Sequence, residues 1–190
     1  MAGWRIKAIV TVGASAALLV VAWSGLAWFS GMPPSVLVAR ILYDDVPRIE
    51  IPLQLNPSAP VAFAARILEK RNYWLNLRIY FEGVEQRKQV SDVVGDARSV
   101  PVHVPGPSEV ATEVHVVIRD QERRVVHERT VRSVGRSDTA GDSLGRRLDE
   151  FVLDTGRYDI SITPAEGVAE FRPFRTTIEL TYHPKTTADR

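Results

Sequence analysis

The chain has 190 residues, with 24 basic and 23 acidic side chains, so its formal net charge is +1. It contains no cysteine, which excludes a disulfide scaffold, a thiol nucleophile, a cysteine-ligated metal and a lipid anchor attached through cysteine. The near-neutral charge argues against binding to nucleic acid, and the hydrophobic content of 45% argues against global disorder.

The N-terminal segment is apolar and is preceded by basic residues. Residues 8–31 carry no charged side chain, and Arg5 and Lys7 come before them. A helix that crosses a bilayer needs roughly 20 apolar residues, so this segment predicts a transmembrane helix over 8–31, ending before Pro33. The positive-inside rule then places residues 1–7 in the cytoplasm and the C-terminal domain in the periplasm of a bacterial inner membrane. The alternative is a cleaved secretory signal, which would also export the rest of the chain.

The connecting segment, residues 32–46, is too apolar for a free linker and is expected to add an edge strand. From there on, the repeated pattern is an alternation of apolar and polar residues, which is typical of strands that bury one face. The alternating segments are 49–55, 61–67, 73–81, 114–118, 125–131, 158–162 and 176–182. The pattern predicts an all-β fold over residues 47–186, an immunoglobulin-like antiparallel β-sandwich, followed by a short tail at 187–190.

Two segments depart from the strand pattern. In residues 86–96, Val90, Val93 and Val94 follow helical spacing, and Gly95 suits the end of a helix. Residues 134–147 contain three glycines and few apolar residues, which predicts a mobile surface loop.

Residues 153–158 (LDTGRY) predict a tight turn that leads into a strand. Gly156 would allow a tight turn with positive φ. Tyr158 would then begin a strand with its ring inward and its hydroxyl bonded to a nearby backbone group, as in the tyrosine corner of immunoglobulin-like sandwiches.

Four short motifs resemble one known family. They are residues 71–79 (RNYWLNLRI), 94–96 (VGD), 153–158 (LDTGRY) and 181–185 (TYHPK). In these the chain resembles the DUF5625 family, bacterial envelope proteins of unknown function. The resemblance implies an envelope location and a β-sandwich domain, and it implies no catalytic residues. Members of this family are often lipoproteins, whereas this chain has no cysteine to carry a lipid.

The search for catalytic or metal-binding chemistry finds no complete set of residues. His115 and His127 could face each other across a hairpin and share a metal, but exposed strand positions are the preferred interpretation. Asp138 and Asp142 lack the ligand spacing of a calcium loop. The sequence therefore predicts no catalytic residue, no metal site and no cofactor, and hence a protein that is not an enzyme.

The one candidate interaction surface lies on the strand at 73–81. If its odd-numbered residues fill the core, Trp74, Arg78 and Tyr80 project together from the opposite face. Trp, Arg and Tyr are enriched at binding hot spots, so this face is a candidate protein-interaction face. The alternative is that a helix, a loop or the connecting segment covers it.

These observations predict a membrane-anchored, periplasm-facing binding or accessory module with an envelope protein as its partner. One alternative function is an immunity-type protein that neutralises a periplasmic toxin. The other is an enzyme without a recognisable motif.

Overall fold

A computed structural model of the chain describes residues 21–25, 34–42, 47–53, 60–95, 110–166 and 169–182. The chain divides into two compact units, residues 1–44 and residues 45–190. In the first unit, residues 21–25 are helical and helix α1 spans Pro34–Leu42. Most of the predicted transmembrane segment 8–31 lies outside the described residues. Among the residues that are described, no helix is both long enough and apolar enough to span a bilayer.

Helix α1 corrects the prediction for residues 32–46, which were expected to add an edge strand. Proline is favoured at the first position of a helix because its missing N–H has no helical partner there. Val38, Ile41 and Leu42 follow with the spacing i, i+3, i+4, so they lie on one side of the helix. A search for apolar residues at every second position does not detect this helical spacing.

The second unit is a sandwich of two antiparallel sheets, which confirms the all-β prediction. The strands are β1 Ile49–Pro52, β2 Val61–Ile67, β3 Arg71–Tyr80, β4 Thr112–Arg119, β5 Val125–Ser133, β6 Asp138–Thr139, β7 Ser143–Leu153, β8 Gly156–Glu166 and β9 Thr176–Tyr182. The five-stranded sheet has the order β1-β9-β3-β7-β6, and the four-stranded sheet has the order β2-β8-β4-β5.

The core lies between the sheets and is built from alternate residues of each strand. Along β3, Leu75, Leu77 and Ile79 are fully buried, and so are Ile160 and Ile162 of β8 in the other sheet. Because successive side chains of a strand point to opposite faces, this burial fixes which residues of β3 turn outward.

Helix α2 spans Gly83–Val94, three residues earlier than the predicted start. Val90 and Val94 are its buried residues, so tertiary packing supports a helix that is rich in the poor helix former valine. Gly95 has φ of 84°, and its N–H donates to the Ser91 carbonyl at 2.8 Å. The glycine therefore ends the helix, as its position in the sequence suggested.

The composition of residues 134–147 predicts a mobile surface loop, and the structure shows that this prediction is wrong. The segment contains strand β6 and the first half of strand β7. Leu144, Arg146 and Leu148 are almost completely buried, with exposures of 0%, 0% and 2%. A buried arginine between two leucines interrupts the apolar alternation, and this is why the sequence pattern does not predict the strand.

Two tyrosines close the turns that lead into β3 and β8. The Tyr158 hydroxyl donates to the Asp154 carbonyl at 3.0 Å, which confirms the predicted contact, although Gly156 does not have positive φ. The Tyr73 hydroxyl donates to the Glu69 carbonyl at 2.8 Å in the same way. We call these contacts the two tyrosine corners.

Candidate functional site

The outer face of the five-stranded sheet, the side turned away from the other sheet, carries the predicted interaction residues. Trp74, Arg78 and Tyr80 are all half-buried there and alternate with the core residues of β3. The structure thus places the three side chains on one face, as the alternation predicted. Their role in an interaction remains a prediction.

Cross-strand pairing fixes the neighbours of these residues. On β9, Thr181 lies opposite Trp74 and Thr177 lies opposite Arg78. On β7, Glu150 lies opposite Trp74. A register shift follows on β7, so that Leu148 forms a bulge between Asp149 and Arg147. Such a bulge bends the strand and re-aims the side chains beside it.

A cleft of about 470 Å³ opens on this face. Its lining comes from strands β3, β6, β7 and β9 and from the residues just before β1 and β6: Arg48, Trp74, Asn76, Arg78, Ser137, Asp138, Arg147, Glu179, Thr181 and Tyr182. Trp74 and Arg78 are therefore in one cleft. Tyr80 lies beside a second hollow, with Phe81, Gln86 and Arg175.

Trp74 forms one wall of the cleft together with Arg147. The Arg147 guanidinium carbon is 3.6 Å from the centre of the Trp74 ring, which is a stacking distance. Arg147 Nη1 also donates to Glu150 Oε2 at 3.0 Å. A guanidinium has five N–H donors, so Arg147 keeps donors for a ligand beyond the one that bonds to Glu150.

Arg78 lies at the end of the cleft opposite Trp74 and binds two carboxylates there. Its Nε donates to Glu179 Oε2 at 2.7 Å and its Nη2 donates to Asp138 Oδ2 at 2.9 Å. Burial lowers the pKa of Arg78, but the hydrogen bonds and charges of Glu179 and Asp138 outweigh that effect and raise it. Arg78 is therefore a fixed cation that holds β3, β6 and β9 together across the outer face.

Tyr80 is held by its own set of contacts. Its hydroxyl donates to Glu50, and the Arg175 guanidinium carbon lies 4.3 Å from its ring centre. Burial, followed by the hydrogen bond to Glu50, raises the pKa of the Tyr80 hydroxyl. The tyrosine is a packed neighbour of the cleft rather than part of its wall.

Arg48 is one of several cleft residues that the sequence pattern does not predict. It is exposed, and its backbone has a positive φ of 86°, which is rare for a residue with a side chain. Its N–H donates to the Leu180 carbonyl at 2.8 Å, so the turn into β1 is fixed against β9. The only signal for this turn in the sequence is Pro47, which precedes Arg48 and whose ring fixes its own φ.

The structure does not bring His115 and His127 together. His115 pairs with Thr130 and lies 3.2 Å from Glu128, whereas His127 pairs with Ile118. His127 Nε2 lies 2.7 Å from Asp149 Oδ2 of the other sheet, so the two rings occupy opposite faces of their hairpin. Within the described ranges there is no group of three His, Asp or Glu side chains suited to a metal. His103 and His183 lie outside those ranges.

The fold has a counterpart among solved structures. A crystal structure of a protein from Sulfurospirillum deleyianum is similar with a TM-score of 0.59 and 15% sequence identity, covering 71% of this chain and 96% of that one. At this identity the likeness concerns the fold alone. No curated protein matches the chain.

The sequence profile described as "Domain of unknown function (DUF5625)" matches residues 50–182, which run from β1 to the end of β9 and include most of the cleft. The chain therefore belongs to the DUF5625 family.

Proposed function

We propose that this protein is a membrane-tethered, non-enzymatic binding module of the bacterial envelope, and that it captures a protein partner in the cleft at Trp74. The observation that carries the proposal is the wall formed by Trp74 and Arg147 in a cleft whose other lining residues all have a polar or charged group. A rigid indole beside arginine donors is the combination that dominates the energetics of many protein interfaces.

The proposed tether is residues 8–31. Their length and lack of charge suit a single transmembrane helix, and Arg5 and Lys7 favour a cytoplasmic N-terminus. The sandwich would then face the periplasm. We further infer an immunoglobulin-like sandwich, supported by the tyrosine corner at Tyr158.

The cleft is suited to binding because its polar side chains are already held in place. Arg78 is fixed by Glu179 and Asp138, and Arg147 is fixed by Glu150 and by the Trp74 ring. Side chains that are ordered before binding lose less conformational entropy when a partner arrives, so more of the contact energy appears as affinity.

The proposal is tested with the full-length chain carrying a C-terminal affinity tag. The chain is extracted from the membrane fraction with detergent, and the bound proteins are identified for the wild type and for Trp74→Ala. We expect the wild type to retain a specific partner and Trp74→Ala to lose it by about tenfold or more, because truncation of an aromatic hot spot costs about 2 kcal/mol or more.

Phe63→Ala is the matched control. Phe63 is also a half-buried aromatic residue, but it belongs to β2 in the other sheet. This variant controls for a general loss of stability and should keep the partner. Retention of the partner by Trp74→Ala, or its equal loss from both variants, would overturn the assignment of the cleft.

A further inference from the structure

The charged side chains of the cleft are unevenly distributed along it. Its lining has three arginines and two carboxylates, and both carboxylates, Asp138 and Glu179, are bound to Arg78. At the other end lies Arg48, which forms no ion pair with any residue in the described part of the chain. The available positive charge is therefore concentrated at the end of the cleft where the chain enters β1.

The sheet register places Arg48 and Trp74 on either side of β9. Trp74 lies opposite Thr181, and Arg48 precedes Ile49, which lies opposite Leu180. Neighbouring strands are about 4.8 Å apart, so positions on β1 and β3 are separated by about 10 Å. A ligand side chain that ends in a carboxylate can span part of this distance while an apolar neighbour rests on the indole.

The backbone at Arg48 supports a role beyond packing. A residue with a side chain at φ of 86° has an unfavourable conformation that glycine would adopt without strain. Strained residues of this kind concentrate at binding sites, because the side chain is needed where the backbone holds it. Arg123 is the other residue with a side chain and a positive φ among those described, and it lies in the β4–β5 turn of the other sheet.

We propose that the cleft recognises an acidic segment of its partner, in which a carboxylate pairs with Arg48 while a neighbouring apolar side chain packs on Trp74. The proposal rests on the proposed function and adds the chemistry of the partner. Arg147, whose guanidinium lies on the Trp74 ring, adds positive charge at the Trp74 side of the same cleft.

The test uses Trp74 as a fluorescent reporter in the full-length chain. The chain has four tryptophans, and the substitutions Trp4→Phe, Trp23→Phe and Trp28→Phe leave Trp74 alone. The probes are the peptides acetyl-Glu-Leu-Glu-Leu-Glu-amide and its Gln-for-Glu counterpart. We expect a saturable change in emission with the acidic peptide below about 1 mM, at least about tenfold weaker binding of the neutral peptide, and weakening by salt.

Arg48→Gly and Arg123→Gly form a matched pair of variants. Both remove an arginine at positive φ, and glycine relieves the backbone strain, so neither should lower the melting temperature. Arg48→Gly should weaken binding of the acidic peptide by about five- to tenfold, whereas Arg123→Gly should leave it unchanged. Equal binding of the two peptides, or equal effects of the two variants, would overturn the proposal.

This failure can be told apart from a failure of the proposed function. If the co-purified partner depends on Trp74 but not on Arg48, the cleft is the docking site and its acidic preference is wrong. If the co-purified partner is retained by Trp74→Ala, the docking site itself is wrong, regardless of how tightly the peptides bind.

Discussion

Tyr73 and Tyr158 close equivalent turns in different sheets. Each hydroxyl donates to the carbonyl of an acidic residue four positions earlier, Glu69 or Asp154, and Lys70 joins the two turns through an ion pair of 3.0 Å with Asp154. The sequence shows the repeat as an acidic residue followed four positions later by tyrosine. The sequence predicts only the second copy, because Gly156 indicates a turn there, whereas residues 69–72 contain no glycine or proline.

Tyr73 should make the fold sensitive to strongly alkaline pH. Burial, followed by the neighbouring Tyr182, raises the pKa of its hydroxyl well above the ordinary value of 10.0. The folded state thus favours the neutral phenol, and this stabilisation is complete below pH 10 and is lost as the pH rises further. Tyr73→Phe should lower the free energy of unfolding by about 1 kcal/mol at pH 7, through loss of the hydrogen bond.

The difference between wild type and Tyr73→Phe should shrink above pH 10, as measured by urea unfolding across the pH range. A difference that stays constant from neutral to alkaline pH would mean that the hydroxyl has no part in the alkaline loss of stability.

Strand β7 shows how one buried charge organises an element. Arg146 is fully buried, and its Nη1 donates to Thr112 Oγ1 at 2.7 Å and to the Val110 carbonyl. Its Nη2 donates to the Val94 carbonyl at 2.6 Å, at the last residue of helix α2. The guanidinium therefore joins the end of α2 to the start of β4, with the negative end of the helix dipole beside its charge.

Arg146→Met tests this role of the side chain. It keeps an unbranched stem but leaves buried acceptors on Val94, Val110 and Thr112 without their donor, so the free energy of unfolding should fall by about 3 kcal/mol. Hydrogen exchange of the α2 amides should also become faster. The control Arg132→Met removes an exposed arginine of β5 and should change stability by less than about 0.5 kcal/mol. Equal stability of the two variants would refute the role of Arg146.

The elements that sequence reasoning predicted are those with one polar and one apolar face. In strands β3, β4, β8 and β9 an apolar residue recurs at every second position, which predicts the inward residues one by one, although the outward residues Asn76 and Thr177 are buried as well. The pattern does not predict strand β7, because its inward positions include Arg146 and Asp149, whose burial depends on partners distant in the chain. The rule that charged residues are exposed fails where tertiary contacts satisfy the charge.

At the scale of the whole sandwich, the two sheets differ in what they expose. The outer face of the five-stranded sheet carries the cleft with Trp74 and three arginines, whereas the hollow on the other sheet has a single arginine and no tryptophan in its lining and includes the small residues Ala62, Ala64 and Ser161. Alternation predicted that Trp74 and Arg78 would share a face. It could not predict the cleft, because the contribution of Arg48 depends on how β1 pairs with β9.

The most direct test of the account is to ask which outer face contacts the partner in living cells. A photo-crosslinking residue is introduced into the full-length chain at Thr181, which lines the cleft, or at Ser161, an equally half-buried hydroxyl residue on the outer face of the other sheet. We expect a specific crosslinked partner from position 181 and none from position 161. A partner captured from position 161 and absent from position 181 would contradict the central claim that the cleft at Trp74 is the binding site.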